Sequence, residues 1–252
     1  MPAGLALAAA AAGSAHAGAW PMPKGATQAI FKYERGRADE GFDAREGRVD
    51  IREVRDDDLR VFVEHGLTDR LTLQVEGGYT RGDDGFNTGE GRGPLSGGLR
   101  WTPHVGRGGR EVVSVYAGAT YLGEGRNSAY LTPGAGDYDG EFRVYYGRSA
   151  RVLGREGFMD LQAAYLARAG APDEGRIDAT AGWEVRRDWL VLAQMYAGRA
   201  DAPGIDPYWV KLELGVVRRL GPWSLQAGWR DTTAGRLTPA EGGPVLAVWR
   251  RF

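Results

Sequence analysis

The sequence predicts an all-β chain, a transmembrane antiparallel up-and-down β-barrel of about twelve strands, with ten to fourteen allowed by the uncertainty of strand boundaries. Three observations carry this expectation: period-two alternation of apolar and polar residues, connections that alternate between short and long, and aromatic residues near the ends of the apolar faces. The alternation is clearest in 61–80, two runs joined by the polar turn 65–70. Successive side chains on a strand point to opposite faces. Leu71, Leu73, Val75, Gly77 and Tyr79 therefore share one face, and Thr72, Gln74, Glu76, Gly78 and Thr80 share the other. One face is oily and the other wet. A secreted β-sandwich could bury the oily face inward, so the connections must discriminate.

The strands follow in order from this grammar. The first, 28–35, sets Ala29, Phe31 and Tyr33 against Gln28, Lys32 and Glu34. A second, 57–64, leads into the hairpin partner 71–80. In 95–102, Leu95, Gly97, Leu99 and Trp101 alternate with Ser96, Gly98 and Arg100, and 111–121 places Val113, Val115, Ala117, Ala119 and Tyr121 on one face. Strand 138–147 sets Tyr138, Phe142, Val144 and Tyr146 against Glu141, Arg143 and Tyr145. Next, 158–167 opposes Met159, Leu161, Ala163 and Tyr165 to Asp160 and Gln162. Strand 176–185 opposes Ile177, Ala179, Ala181 and Trp183 to Arg176, Asp178, Thr180 and Glu184, and 189–197 returns from a tight turn. Strand 208–217 opposes Val210, Leu212, Leu214 and Val216 to Lys211 and Glu213. Then 223–232 opposes Trp223, Leu225, Ala227 and Trp229 to Ser224, Gln226 and Arg230, and 244–252 closes the series.

The connections 65–70, 103–110, 148–157, 186–188 and 218–222 are short. The alternate set 36–56, 81–93, 122–137, 198–207 and 233–243 is mostly longer, Gly-rich and often acidic, with 168–175 as its short exception. A sandwich has no reason to sort loops this way, whereas transmembrane barrels have short turns at one end and longer loops at the other.

Composition narrows the functional classes. The 252 residues carry a formal net charge of −1, which argues against a nucleic-acid partner. There is no Cys, so disulfides, thiol catalysis and cysteine metal sites are excluded. The 8 Trp and 11 Tyr supply rings suited to a boundary between water and oil. The apolar run 5–12 followed by Ala15-His16-Ala17 has the small-x-small pattern of a secretory cleavage site, although no Lys or Arg precedes it. The expectation is a signal peptide over 1–17 and a single barrel domain over 18–252.

The residues offer little for catalysis. Beyond residue 17 the only histidines are His65 and His104, both at predicted short turns, and the chain is expected not to be an enzyme. Asp83, Asp84, Asn87 and Glu90 could gather around Ca²⁺, but a solvated acidic loop is the preferred reading, and no metal site is assigned. Arg81-Gly82-Asp83 is treated as a chance tripeptide. No Gly-rich phosphate loop opens a helix, and no cofactor is expected.

With these features the sequence resembles a Gram-negative outer-membrane β-barrel. The resemblance rests on the secretory pattern, the sorted connections, two sets of aromatics and the C-terminus. Trp101, Tyr146, Trp183, Trp189 and Trp223 sit toward the short-turn end of outward faces. Tyr79, Tyr121, Tyr138, Tyr165, Tyr208 and Trp229 lie toward the other rim. The terminal strand ends in Phe252 with Val248 and Leu246 on one face. It is similar to the signal read by the family's barrel-assembly machinery, with Arg250 departing from the pattern. The resemblance implies an outer-membrane location, outer-membrane lipid as surroundings, and small solutes as passengers, as in small porin-like channels.

The inward face in this register carries Lys32, Glu34, Arg60, Glu64, Glu76, Arg100, Glu141, Arg143, Asp160, Arg176, Asp178, Glu184, Lys211, Glu213 and Arg230. These are the expected lumen-lining residues. They could line a water-filled channel for small hydrophilic or amphipathic solutes, with opposed basic and acidic rings tuning selectivity. Alternatively they could lock into a closed network in a structural or adhesive barrel that acts through its extracellular loops.

Overall fold

The computed structural model describes residues 18–86, 88–122, 138–202 and 204–252. Its strands are β1 (Thr27–Phe42), β2 (Arg48–Gly66), β3 (Leu71–Asp83), β4 (Thr88–Arg92), β5 (Leu95–Val105), β6 (Glu111–Tyr121) and β7 (Tyr138–Val152). They continue with β8 (Arg155–Arg168), β9 (Glu174–Arg186), β10 (Trp189–Ala200), β11 (Tyr208–Leu220), β12 (Trp223–Arg236), β13 (Thr238–Pro239) and β14 (Gly242–Arg251). Twelve of them form one antiparallel wall, each pairing with its neighbour in the chain. The last strand, β14, returns to pair with β1 from Gln28↔Arg251 to Glu34↔Val245, which closes the barrel and leaves the wall no open edge. The short β4 and β13 add to the ends of β3 and β1 beyond the wall.

Register fixes the inside and the outside. Rows such as Tyr33↔Leu59↔Tyr79 and Leu73↔Leu99↔Ala117 run around the exterior. Phe31, Leu59, Leu99, Phe142, Leu161, Leu214 and Leu246 are exposed there, forming an apolar belt around the barrel. An exposed apolar surface of that extent far exceeds what a water-soluble monomer carries, and it is the surface a membrane barrel presents to lipid. Exposed Trp101, Trp183 and Trp223 flank the belt toward the short turns. Tyr79, Tyr121, Tyr138, Tyr165 and Trp229 flank it toward the long connections. Among the described residues no helix is long and apolar enough to cross a membrane.

Three connections differ from expectation. The predicted loop 36–56 is mostly strand: β1 and β2 run for 16 and 19 residues and continue their pairing to Phe42↔Arg48. A spanning strand needs only about 9–11 residues, so this hairpin projects well past the apolar belt. Its neighbouring pairs are charged, with Arg35–Asp57 at 2.8 Å and Arg37–Glu53 at 3.1 Å. A hydrophobic-alternation test is blind to a strand stabilised this way. In 81–93, Arg81–Asp83 belong to β3 and pair with Thr88–Glu90 of β4. The predicted turn 148–157 contracts to Leu153-Gly154. Most of the connection 122–137 lies outside the described residues.

Candidate functional site

The barrel interior divides into two layers. Toward the short turns, the inner face is apolar and packed. Val112 on β6, Phe158 on β8, Leu190 and Leu192 on β10, Val217 on β11, and Ala247 and Trp249 on β14 converge there, with Ile30 packed against them. At their centre sits a segment that is not part of the wall. Residues 18–26, which precede β1, enter the lumen as a strap and place Ala19 and Trp20 within this core, at 0% and 8% exposure.

The strap is held by the wall through its backbone. The guanidinium of Arg100 donates to the carbonyls of Gly18 and Trp20, the latter at 2.7 Å. Ser114 Oγ donates to the carbonyl of Ala19 at 2.6 Å and lies 2.8 Å from Thr102 Oγ1. The Met22 amide donates to Thr72 Oγ1 at 3.0 Å, and Trp20 Nε1 donates to the Gly109 carbonyl at 3.0 Å. The wall also makes room. A side chain at Gly147 would meet Ala19 Cβ at 2.7 Å and the Trp20 ring at 2.9 Å, and one at Gly66 would strike the Pro23 carbonyl. The Trp20 ring meets Phe158 edge-on, with centroids 6.2 Å apart, a favourable aromatic geometry.

Arg100 joins the layers. It is fully buried, and besides the strap carbonyls it binds Glu64 Oε1 at 2.7 Å, while Gln74 Nε2 donates to the same carboxylate at 2.9 Å. A buried charge needs both a partner and hydrogen bonds to be tolerated. This guanidinium has the donors to satisfy Glu64 and the strap together.

Toward the long connections the inner face is ionic, and in places it is accessible. Arg60 and Glu76 are 50% and 39% exposed although they face inward, and their side chains lie 3.6 Å apart. One network joins β1, β11 and β12. In it Lys32 lies 2.5 Å from Glu34, and Arg230 lies 2.9 Å from Glu34 and 2.5 Å from Glu213, with its guanidinium over the Tyr196 ring. A second joins β7, β8 and β9: Arg143 binds Glu141 and Asp178, each at 2.7 Å, and Gln162 at 2.5 Å. Higher up, Arg176 binds Glu174 at 2.6 Å, and Lys211 binds Glu241 at 2.7 Å. Glu184 pairs with Arg219 near the short turns, at 2.5 Å.

The structure therefore places the fifteen residues singled out by sequence on the inner face, but distributes them unequally. Glu64, Arg100 and Asp160 are buried at the level of the strap. Lys32, Glu34, Glu213 and Arg230 form one cluster, and Glu141, Arg143 and Asp178 another. Arg60 and Glu76 stand in the wetter space between. Acids and bases are mixed within each cluster, so the separated basic and acidic rings do not form among the described residues. Opposite charges sit at neighbouring positions, as in Lys32–Glu34 and Arg143–Glu141, and neutralise locally. The inner-face glycines also act differently from an open lining. Side chains at Gly182 and Gly198 would collide with Phe158 and Trp209, so these positions accommodate rings.

Sequence reading missed the strap and the apolar inner layer. The signal was present as near-continuous apolar runs: Trp189–Leu192, and 245–249 in the last strand, where alternation fails. A strand buried on both faces reads this way. His65 lies at a short turn, with Nδ1 2.8 Å from Thr27 Oγ1, and His104 lies near another. Among the described residues no group of three or more His, Asp or Glu could hold a metal ion. Asn87 of the acidic group lies outside the described residues.

No family model matches the chain, and no curated protein matches it. Among solved structures it is similar to the COG4313 outer membrane channel from Pseudomonas putida F1, at 13% identity and a TM-score of 0.67, covering 95% of this chain and 100% of that one. It is also similar to the NanC porin, at 6% identity and a TM-score of 0.56, covering 87% and 98% of the two chains. A third is the β domain of the Bordetella autotransporter BrkA, at 15% identity and a TM-score of 0.52, covering 91% and 100%. Identities this low speak for architecture alone, and the architecture is shared by channels and autotransporters. Closed wall, exterior apolar belt and these likenesses together give the chain the fold of the outer-membrane β-barrels.

Proposed function

We propose that the protein is an outer-membrane channel for small hydrophilic or amphipathic solutes, with its short turns in the periplasm and its long connections outside the cell. Solutes enter a charged vestibule from the long-loop end, and residues 18–26 form its floor. The observation that carries this reading is the contrast inside one lumen. Ion-paired residues such as Arg60 and Glu76 are accessible from the lumen, and below them the way is filled by the strap packed among inward wall side chains such as Phe158 and Trp249. A strap held mainly by a few hydrogen bonds and one aromatic anchor is removable in a way that strands are not. Similarity of fold to an outer membrane channel and a porin supports the reading.

The competing reading is a closed barrel that acts through its outer surface. It draws support from the tightly packed floor and from the β1–β2 hairpin projecting beyond the belt. Planar-bilayer recordings separate the two. The refolded chain lacking residues 18–26 should give discrete steps whose reversal potential in a salt gradient moves when Arg143 is replaced by Ala. Silence from that strapless barrel, shown to be folded and inserted, would contradict the channel reading and favour the closed one.

A further inference from the structure

The outer surface carries its charges differently at its two ends. Toward the long connections they have protein partners, as in Arg35–Asp57 at 2.8 Å and Arg199–Asp206 at 2.6 Å. Toward the short turns two outward arginines do not. Arg218 on β11 is flanked by Trp189 and Leu225, and Arg250 on β14 by Ala29 and Trp223. All four neighbours are uncharged, and among the described residues neither guanidinium is in a salt bridge. Each lies instead over a ring, Arg218 over Trp189 at 4.9 Å and Arg250 over Trp223 at 4.4 Å. Arg250 Nε is also buried with no hydrogen-bond partner. Stacking occupies the face of a guanidinium and leaves the N–H donors on its edge for another group.

Beside Arg218 the apolar belt is grooved. Two outward rows run in register across β14, β12 and β11: Leu246–Ala227–Val216 and, nearer the short turns, Val248–Leu225–Arg218. Ala227 is the short side chain among larger ones, and a groove of about 600 Å³ runs past it. Arg218 is the one charged residue that lines this groove. An occupant must therefore be apolar within the belt and anionic at the rim, which is the division within a phospholipid. We propose that the groove holds an anionic glycerophospholipid, with an acyl chain over Ala227 and its phosphate between Arg218 and Arg250. The two arginines stand two strands apart, about 10 Å. Arg250 leans over Trp223 on the intervening strand, so one headgroup is within reach of both. Arginine offers phosphate two parallel N–H donors, and tryptophan rings sit at headgroup level. The choice of the periplasmic leaflet rests on the orientation proposed above. The site itself rests on the outward register and on the missing carboxylates.

The test is native mass spectrometry of the barrel in detergent micelles, offered phosphatidylglycerol and phosphatidylcholine in equal amounts. The unaltered barrel should retain about tenfold more phosphatidylglycerol, the scale of one charge-assisted hydrogen bond. Replacing both arginines, Arg218→Gln with Arg250→Gln, should erase that preference. Ala227→Leu, which fills the groove, should lower retention of both lipids. Arg199→Gln, on the same surface at the other end, should leave the preference unchanged. Equal retention of the two lipids by the unaltered barrel, or a preference that survives the double substitution, would overturn the proposal. Displacement of the lipid by excess inorganic phosphate would assign the arginines to a free anion, and a lipid-free dimer would assign the groove to a second copy. Either result also overturns it. Should the arginine variants fail to fold, phosphatidylglycerol with a photoreactive acyl chain answers on the unaltered barrel. Crosslinks should concentrate in 225–227 and 246–248, and an even spread around the belt would overturn the site. None of these readouts depends on conductance, so the channel reading stands or falls separately, on the strapless barrel.

Discussion

The two halves of the lumen are built on the same strands yet solve opposite problems. On β6, Val112 and Ser114 face the strap, while four residues beyond Ser114 on the same face Gly118 pairs with Glu141 of β7. On β14, Ala247 and Trp249 pack in the floor, whereas Val245 lies opposite Glu34 on β1. Where the chain supplies its own filler, the wall turns apolar and packs densely around it. Beyond the strap, the wall carries ions that pair with one another, most of them largely buried and only Arg60 and Glu76 widely accessible. Interior polarity in this barrel is thus set layer by layer along each strand, and the strap marks the boundary.

The largest effect should come from the residue that joins the layers. Arg100→Ala strips the strap of two hydrogen bonds and leaves Glu64 buried without its cation. Breaking such a pair is expected to lower stability by about 3–5 kcal/mol, measurable by denaturant unfolding in detergent micelles. Next, Trp20→Ala removes the aromatic anchor. Its loss is expected near 3 kcal/mol, the low end for deleting a buried ring, because the strap can leave without dismantling the wall. Channel opening should rise in both variants.

Substitutions in the ionic layer should behave differently. Arg143→Ala leaves Glu141 and Asp178 without their shared partner, with an expected loss of about 1–3 kcal/mol. Its more telling readout is a reversal potential displaced toward cation preference. Arg60→Ala should change stability least, by roughly 0–1 kcal/mol, since half of that side chain is exposed. Conductance should still respond, because the charge stands in the open part of the vestibule. Equal stability losses at Arg100 and Arg60 would erase the distinction between the layers.

Most of the wall was legible in the sequence because period-two alternation is a direct print of a sheet with one oily and one wet face. The common outward face of Leu71, Leu73, Leu99 and Trp101, and the inward direction of Lys211, Glu213 and Arg230, follow from it. The β1–β2 extension was not legible, since Arg35–Asp57 and Arg37–Glu53 stabilise it through charges and not through apolar alternation. The strap was not legible for a different reason. Gly18-Ala19-Trp20 has no period to detect, and its binding site is assembled from Arg100, Ser114 and Gly147 on three strands. Inward apolar residues such as Leu190 and Val217 hinted that something fills the barrel, but alternation alone cannot say what.

The central claim is that residues 18–26 form a removable floor, and a reversible lock tests it most directly. The chain has no native cysteine, so the pair Ala19→Cys and Gly147→Cys introduces a single possible disulfide. Ala19 Cβ lies 2.7 Å from where a Gly147 Cβ would stand, and a shift of about 1 Å reaches disulfide spacing. Single-channel recording of the oxidised protein should show a closed barrel, and adding a reductant during the recording should release discrete openings. Openings of the same size and frequency before and after reduction would contradict the account.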